Sequence, residues 1–155
     1  MRRVYKEALS IANSFIDKFI HNEYTIVGSI RRKEEKIGDV DIIVFEPLAV
    51  IEKRFESSNL VKKVNGGTKK MDVNYKGMRF NLYFALPFYH GAMLFFLTGP
   101  AGYSIAYRLK AKKKGWHLDQ YGLKDEKGAV IASRTEAAIY KAFGKSYKEP
   151  ELRGK

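Results

Sequence analysis

The sequence predicts an α/β (α+β) fold, with a mixed β-sheet flanked by helices and a small mixed C-terminal subdomain. Three stretches carry that expectation. Val4, Ala8, Ile11, Ala12, Phe15, Ile16, Phe19 and Ile20 recur at helical spacing and stop at the polar His21-Asn22, the pattern of an amphipathic first helix. Ile42, Ile43, Val44 and Phe45 form a β-branched, apolar run, the pattern of a buried strand. Residues 71–75 and 78–85 flank Lys76-Gly77, and Gly77 can take the positive φ that a tight hairpin turn requires.

The remaining elements follow in order. Residues 24–27 make a first strand, and the strand at 39–45 comes next. Pro47 opens a helix whose buried side is Leu48, Val50, Ile51 and Phe55. Residues 60–64 read as a short strand that Gly66-Gly67 breaks. In the second hairpin strand Met78, Phe80, Leu82 and Phe84 share an apolar face, with Arg79, Asn81 and Tyr83 on the other, which is expected to look into a cleft. After Pro87 an apolar, aromatic helix runs to Gly99 with Phe95 in its core, and a further helix passes through Tyr103 and Arg108 into the basic run at 110–114. Residues 129–132 read as a short strand. Ser133-Arg134-Thr135-Glu136 reads as a capping box before a helix that Gly144 stops. The expected division is 1–97 and 98–155.

Composition narrows the partners. The 29 Lys and Arg against 17 Asp and Glu give a net charge of +12, which implies a polyanion, and nucleic acid is the usual one. Residues 98–155 hold 13 Lys and Arg against 6 Asp and Glu, so the charge is concentrated there. With no cysteine, disulfides and thiolate metal sites are excluded, and His21, His90 and His117 lack zinc-ligand spacing. Any metal is therefore oxygen-bound. The longest apolar stretch, near residues 92–97, is too short to span a bilayer, and no signal peptide is legible. An intracellular, non-secreted monomer without a membrane partner is expected.

The chemistry concentrates in residues 27–45, VGSIRRKEEKIGDVDIIVF. Side chains alternate along a strand, so Asp39 and Asp41 share one face while Val40, Ile42 and Val44 point into a core. Two carboxylates held close repel each other, which makes them ready ligands for Mg²⁺, a hard ion that takes carboxylate and phosphate oxygens. Upstream, Gly28-Ser29 lets the backbone approach an anion and adds a hydroxyl. Arg31 and Arg32 supply charge suited to a triphosphate, and Gly38 permits a second close approach.

Gly28-Ser29-x-Arg31-Arg32, five residues, then Gly38-Asp39-x-Asp41 resembles the signature of nucleotidyltransferases of DNA polymerase family X, the polymerase beta type. The resemblance is to the short viral members, which carry a palm and a C-terminal subdomain only. It implies a nucleotidyltransferase palm over 1–97 and a nascent-base-pair-binding subdomain over 98–155. Ser29, Arg32 and Gly38 would then hold the β- and γ-phosphates of a dNTP, and Asp39 and Asp41 two Mg²⁺, with Mn²⁺ as a substitute. Phe96-Leu97-Thr98-Gly99 resembles the family's element beside the nucleotide sugar. Phe96 stands where relatives carry Tyr or His, and Leu97 where they carry Phe.

By the same resemblance Ser104 and Arg108 face the nascent base pair, Lys112, Lys113 and Lys114 meet duplex DNA, and Gln120 and Tyr121 contact the template side. The tail Tyr147-Lys148-Glu149-Pro150-Glu151-Leu152-Arg153 also resembles the family's. The longer members place DNA-gripping modules and sometimes a lyase domain ahead of the palm. With about two dozen residues before Gly28, lyase activity is not expected. The implied activity is short-gap filling in duplex DNA from a primer-template.

One position departs from the pattern. The family's third catalytic carboxylate, which bridges the primer-side metal, falls at Asn81, and an amide cannot accept the proton of the attacking 3′-hydroxyl. Impaired chemistry is expected. Three readings stand beside one another: a deliberate Asp-to-Asn change in an active enzyme, a natural inactive copy, and a displaced carboxylate at Asp72, which lies opposite Asn81 if Lys76-Gly77 is a two-residue loop. The alternatives in function are a catalytically inactive DNA- and nucleotide-binding module and a template-independent or RNA-directed nucleotidyltransferase.

Overall fold

The computed structural model describes residues 2–155 and divides the chain into two units, one ending at Ala85 and one running Leu86–Lys155. In the first, strand β1 (Arg3–Val4) leads into helix α1 (Tyr5–Phe19), followed by β2 (Tyr24–Val27), a single turn α2 (Gly28–Arg31), β3 (Lys36–Ile37), β4 (Asp39–Val44), α3 (Leu48–Glu56), β5 (Val61–Asn65), β6 (Lys70–Tyr75) and β7 (Met78–Phe84). Five strands form one mixed sheet in the order β2-β4-β7-β6-β5. Only β4 and β7 run parallel; the other pairs are antiparallel.

Alternation along these strands separates a core from a polar face. Val40, Ile42 and Val44 of β4 are fully buried with Phe80 and Leu82 of β7. Against them α1 lays Ala8, Ala12, Phe15 and Phe19. Phe15 stacks on Phe80 with ring centroids 4.4 Å apart, and Phe19 meets Phe55 of α3 edge to face, geometries that add to plain area burial. Val50 is the exception to the expected buried side of α3. It is exposed, because Leu48, Ile51 and Phe55 already fill the face that meets the core.

The β6–β7 hairpin closes through Lys76 (φ 48°) and Gly77 (φ 76°). Two consecutive positive φ values are those of a type I′ turn, which matches strand twist. This turn fixes the register and sets Asp72 directly opposite Asn81.

Glu46, just past β4, ties three elements together. Its carboxylate accepts the backbone N–H of His21 at 3.0 Å and pairs with Arg54 of α3, whose Nη1 donates to Phe19 O at 2.9 Å. The end of α1 is thereby fastened to the sheet.

The second unit contains a 3₁₀ turn (Pro87–Tyr89), α4 (His90–Thr98), α5 (Ala101–Lys113), β8 (His117–Asp119), β9 (Gly122–Lys124), β10 (Val130–Ala132), α6 (Glu136–Ala142) and a 3₁₀ turn (Pro150–Leu152). Its strands make an antiparallel sheet in the order β10-β9-β8. The unit starts before the expected boundary at residue 98, because α4 carries Ala92 and Phe95 into this unit's own core with Tyr107, Leu118, Ile139 and Tyr140.

The expected capping box at Ser133 is a different arrangement. Thr135 is the N-cap, accepting from Ala138 N at 3.1 Å, while Ser133 Oγ donates to Phe88 O at 2.6 Å. Glu136 is drawn away from the helix end by Arg153, with 2.7 Å between Oε2 and Nη1, and both side chains are buried.

The Arg54 hydrogen bond is the main cause that holds the Glu46 carboxyl below its ordinary value of 4.5. A lowered folded-state value means that the contribution is complete above that ordinary value and is lost as pH falls through the depressed one. Thermal unfolding followed from neutral pH into the acid range should therefore show the wild type losing roughly 1.5–3 kcal/mol that Arg54→Met, lacking the charged partner, does not have to lose. Parallel acid profiles for the two proteins would contradict this role.

Candidate active site

The polar face of the first unit's sheet brings the predicted carboxylates together. Asp39 and Asp41 lie on one face of β4, and the parallel pairing sets Asp41 beside Asn81 and Asp39 beside Arg79. Asn81 turns its amide toward β4: Nδ2 donates to Asp41 Oδ1 at 2.8 Å and reaches Asp39 Oδ2 at 3.5 Å. Burial pushes the Asp41 carboxyl above the usual aspartate range, and the neighbouring Asp39 charge adds to that. Asn81, Lys70 and Arg32 work against it. Asp39 itself is exposed.

The glycine-serine turn abuts these groups. Gly28 has φ +63°, and a Cβ there would lie 2.3 Å from Asp41 Oδ2, so the backbone passes the carboxylate at a distance only glycine allows. Ser29 is half-buried in α2. Arg32 caps this turn and forms an ion pair with Glu34 at 3.3 Å. Gly38 directly precedes Asp39, with Arg2 alongside. Gly28, Ser29, Arg32, Gly38, Asp39, Asp41 and Asn81 thus all belong to the β2–β4 connection and the two central strands.

Asp72 does not join Asp41. Its Oδ2 accepts from Arg79 Nη2 at 2.9 Å and its Oδ1 lies 3.6 Å from Lys70 Nζ. Lys70 was not singled out by the sequence, yet it sits 5.4 Å from the Tyr83 ring and acts on Asp41 electrostatically. Burial, with Asp41, Asp72 and Asp39 nearby, raises the Tyr83 phenol and keeps it a hydrogen-bond donor. Only the pairing register, which sets Lys70 opposite Tyr83, reveals this cation.

The donor chemistry suits a hard cation, which would relieve the strain on Asp41. No group of three or more His, Cys, Asp or Glu with metal-holding geometry occurs among the described residues.

In the second unit, Phe96 and Leu97 are half-buried and Gly99 takes φ +64°. Arg108 lies over the Phe96 ring at 5.9 Å. Ser104 is buried, and its hydroxyl donates to Phe96 O at 3.1 Å. Lys112 and Lys113 are exposed on α5, and Lys114 lies 5.3 Å from the Trp116 ring. Arg108 and Lys112 border an open groove of about 430 Å³ with Ile105, Leu109, Trp116 and His117. Gln120 and Tyr121 form the two-residue turn between β8 and β9, where Tyr121 N donates to Asp119 Oδ1 at 2.8 Å. No helix among the described residues is long and apolar enough to cross a membrane.

Residues 93–154 match the family described as DNA polymerase beta thumb. Repair DNA polymerase X of African swine fever virus, isolate Pig/Kenya/KEN-50/1950, is 30% identical over 151 residues, covering 91% of this chain and 87% of the relative. The protein of the same name from isolate Tick/Malawi/Lil 20-1/1983 matches to the same extent. DNA polymerase/3'-5' exonuclease PolX of Bacillus subtilis (strain 168) is 28% identical over 158 residues, covering 94% of this chain and 27% of the relative. Fold and matches together define the class as DNA polymerase. Within it, the chain belongs to DNA polymerase family X.

The contact between Gly28 and Asp41 is open to a direct test. Gly28→Ala places a side chain at positive φ, which costs about 1–2 kcal/mol, and forces the Asp41 carboxylate to move. Urea unfolding should show a loss of at least that size; an unchanged midpoint would mean that this close approach does not exist.

Proposed function

We propose that the chain is a gap-filling DNA polymerase that transfers a nucleoside monophosphate from a dNTP to a DNA 3′-hydroxyl, and that Asn81 impairs it. The observation that carries the reading is the parallel register of β4 and β7, with Asp41 beside Asn81 and the Gly28 turn against the carboxylate. Two β4 carboxylates and an amide on the adjacent strand are the donor set expected when one of three catalytic carboxylates has been replaced.

Asp39 and Asp41 would hold Mg²⁺, or Mn²⁺ in its place, with Asn81 as a neutral third donor. Bound there, two such ions would supply charge neutralisation and activation of the attacking hydroxyl. The chain's own residues do the rest. Ser29 and the backbone at Gly28 and Gly38 would donate to the β- and γ-phosphates, and Arg32 would exchange Glu34 for the triphosphate as negative charge develops on the leaving pyrophosphate. In the reaction the 3′-oxygen bonds to the α-phosphorus, the bond to the β-phosphate bridge breaks, and the hydroxyl proton must leave. Asn81 offers no basic oxygen for that proton.

In the second unit, Phe96, Leu97 and Gly99 are proposed to meet the nucleotide. Ser104, buried against Phe96 O, is assigned to hold that segment in place. Arg108, Lys112, Lys113, Lys114, Gln120 and Tyr121 are the proposed DNA contacts. The domain roles are likewise proposed: a palm in the first unit and a thumb-like, nascent-pair-binding role in the second. The second reading, a DNA- and nucleotide-binding module without catalysis, is favoured by Asn81 alone.

Single-nucleotide extension on a gapped duplex with Mg²⁺ and dNTPs separates the two. Asn81→Asp should extend at least a hundredfold faster than the wild type, the usual worth of a positioned general base. If neither protein extends, the binding module is correct; if both extend equally, position 81 is not the third carboxylate. Affinity for the same duplex should fall linearly on a log–log plot against salt, as Lys and Arg release condensed counterions. A flat response would rule out the +12 charge as a DNA footprint.

A further inference from the structure

One carboxylate on the polar face has no part in the proposed chemistry. Asp72 of β6 is only 3% exposed, with its Oδ1 3.6 Å from Lys70 Nζ and Asn65 beside it on β5. Its Oδ2 accepts from Arg79 Nη2 at 2.9 Å. That pairing is diagonal across the hairpin, since the residue opposite Arg79 on β6 is Asn74. The residue beside Arg79 on β4 is Asp39.

Arg79 therefore has two carboxylates within the reach of a long side chain on one face of the sheet. It takes the farther position in register. The reason is dielectric: Asp72 is buried and Asp39 is exposed, and an ion pair to a buried carboxylate is less screened by water than one to an exposed carboxylate. Lys70, on the other side of Asp72, is drawn the same way. Two cations of this face, Arg79 beside Asp39 and Lys70 one strand farther off, are thus engaged by a third carboxylate.

We propose that Asp72 is a positioning residue that holds Arg79 on the β6 side of the sheet and so leaves Asp39 open to a divalent cation. This rests on the assignment of Asp39 and Asp41 as the metal-holding pair. In the absence of the Asp72 charge, Arg79 swings to its neighbour in register, Asp39, and an incoming cation must displace a guanidinium before it binds. The cost appears as weaker cation affinity, with no change in the donors themselves. The same ion pair speaks against Asp72 as a displaced third carboxylate, since its charge is engaged by Arg79 and Lys70.

The test is Mn²⁺ binding to the full chain, without DNA or dNTP, by electron paramagnetic resonance. Asp72→Asn keeps the shape of the strand and removes the charge. It should weaken Mn²⁺ binding roughly fivefold, the scale of a partly screened ion pair. Arg79→Gln in the Asp72→Asn background should restore wild-type affinity, because the competing cation is gone. Wild-type affinity in Asp72→Asn overturns the proposal, as does a double variant that stays as weak as the single one. Asp39→Ala separates this from the underlying assignment. If Asp39→Ala binds Mn²⁺ as tightly as the wild type, the metal-holding pair is wrong and the proposal falls with it; if Asp39→Ala loses binding while Asp72→Asn does not, only the proposal falls. Should Asp72→Asn fail to fold, Asp72→Thr tests the same displacement with a strand-favouring side chain.

Discussion

The parallel pairing of β4 with β7 places the two β4 carboxylates against the polar side chains of β7 on one face of the five-stranded sheet. In that register Val40 lies beside Phe80 and Ile42 beside Leu82 on the core side, while Asp39 lies beside Arg79 and Asp41 beside Asn81 on the other. A slip of one residue would exchange the two sets, sending carboxylates under the Phe15 ring and valine into water. Hydrophobic burial against α1 therefore fixes the register, and the register fixes the carboxylates. Each Å² of apolar surface buried contributes about 25 cal/mol, and the four fully buried side chains Val40, Ile42, Phe80 and Leu82 supply that stabilisation on the side opposite the two aspartates. The site can be electrostatically costly because the core beneath it is not.

That cost is distributed, and the distribution is what makes the face usable. Asp41 carries most of it, since burial and Asp39 both raise its carboxyl. Relief comes from the amide of Asn81 on one side and from Lys70 and Arg32 at longer range. Asp72 collects Arg79 and Lys70 on the far side of β7. A sheet face carrying three carboxylates and several cations could have collapsed into closed ion pairs; here the buried Asp72 pairs with Arg79 and Lys70, and the exposed Asp39 is met by the Asn81 amide at 3.5 Å. In the second unit the opposite economy holds. Arg153 and Glu136 form a fully buried pair with Phe95, Tyr140 and Tyr147 around the guanidinium, so the chain's tail is locked by charge that has no solvent-facing role. Buried pairs of this kind are costly to break and add little over an apolar substitute.

Much of this was legible because it is local. The strand Tyr24–Val27, the hairpin with its two-residue turn and the Asp72–Asn81 juxtaposition follow from alternation and from one Lys-Gly dipeptide, whose geometry dictates pairing on both sides. The shared face of Asp39 and Asp41 needs only the two-residue period of a strand. What the sequence does not carry is partner choice across long separations. Nothing local says that β4 pairs with β7 in parallel, that a Cβ at Gly28 would strike Asp41, or that Arg79 selects Asp72. The capping box misread Glu136 for the same reason: its partner is Arg153, seventeen positions away, and a buried guanidinium outcompetes a helix-end N–H. Val50 was placed by period alone, and period cannot tell a nine-residue helix that its core face is already filled.

Asn81 then acquires a physical meaning beyond the catalytic role proposed for its position. It stands in a row of three neighbours across β4, β7 and β6, Asp41, Asn81 and Asp72. An aspartate in the middle would make three adjacent carboxylates, with Lys70 and Arg79 already committed to the outermost. The central charge would have to share cations already drawn to its neighbours, Lys70 and Arg79 to Asp72 and Lys70 and Arg32 to Asp41. An amide there reverses the balance, because its N–H donates to Asp41 and needs no counter-ion. The ligand-free sheet is thus more comfortable with asparagine than with aspartate. On the function proposed above, stability and catalysis pull on position 81 in opposite directions, and the residue present satisfies stability.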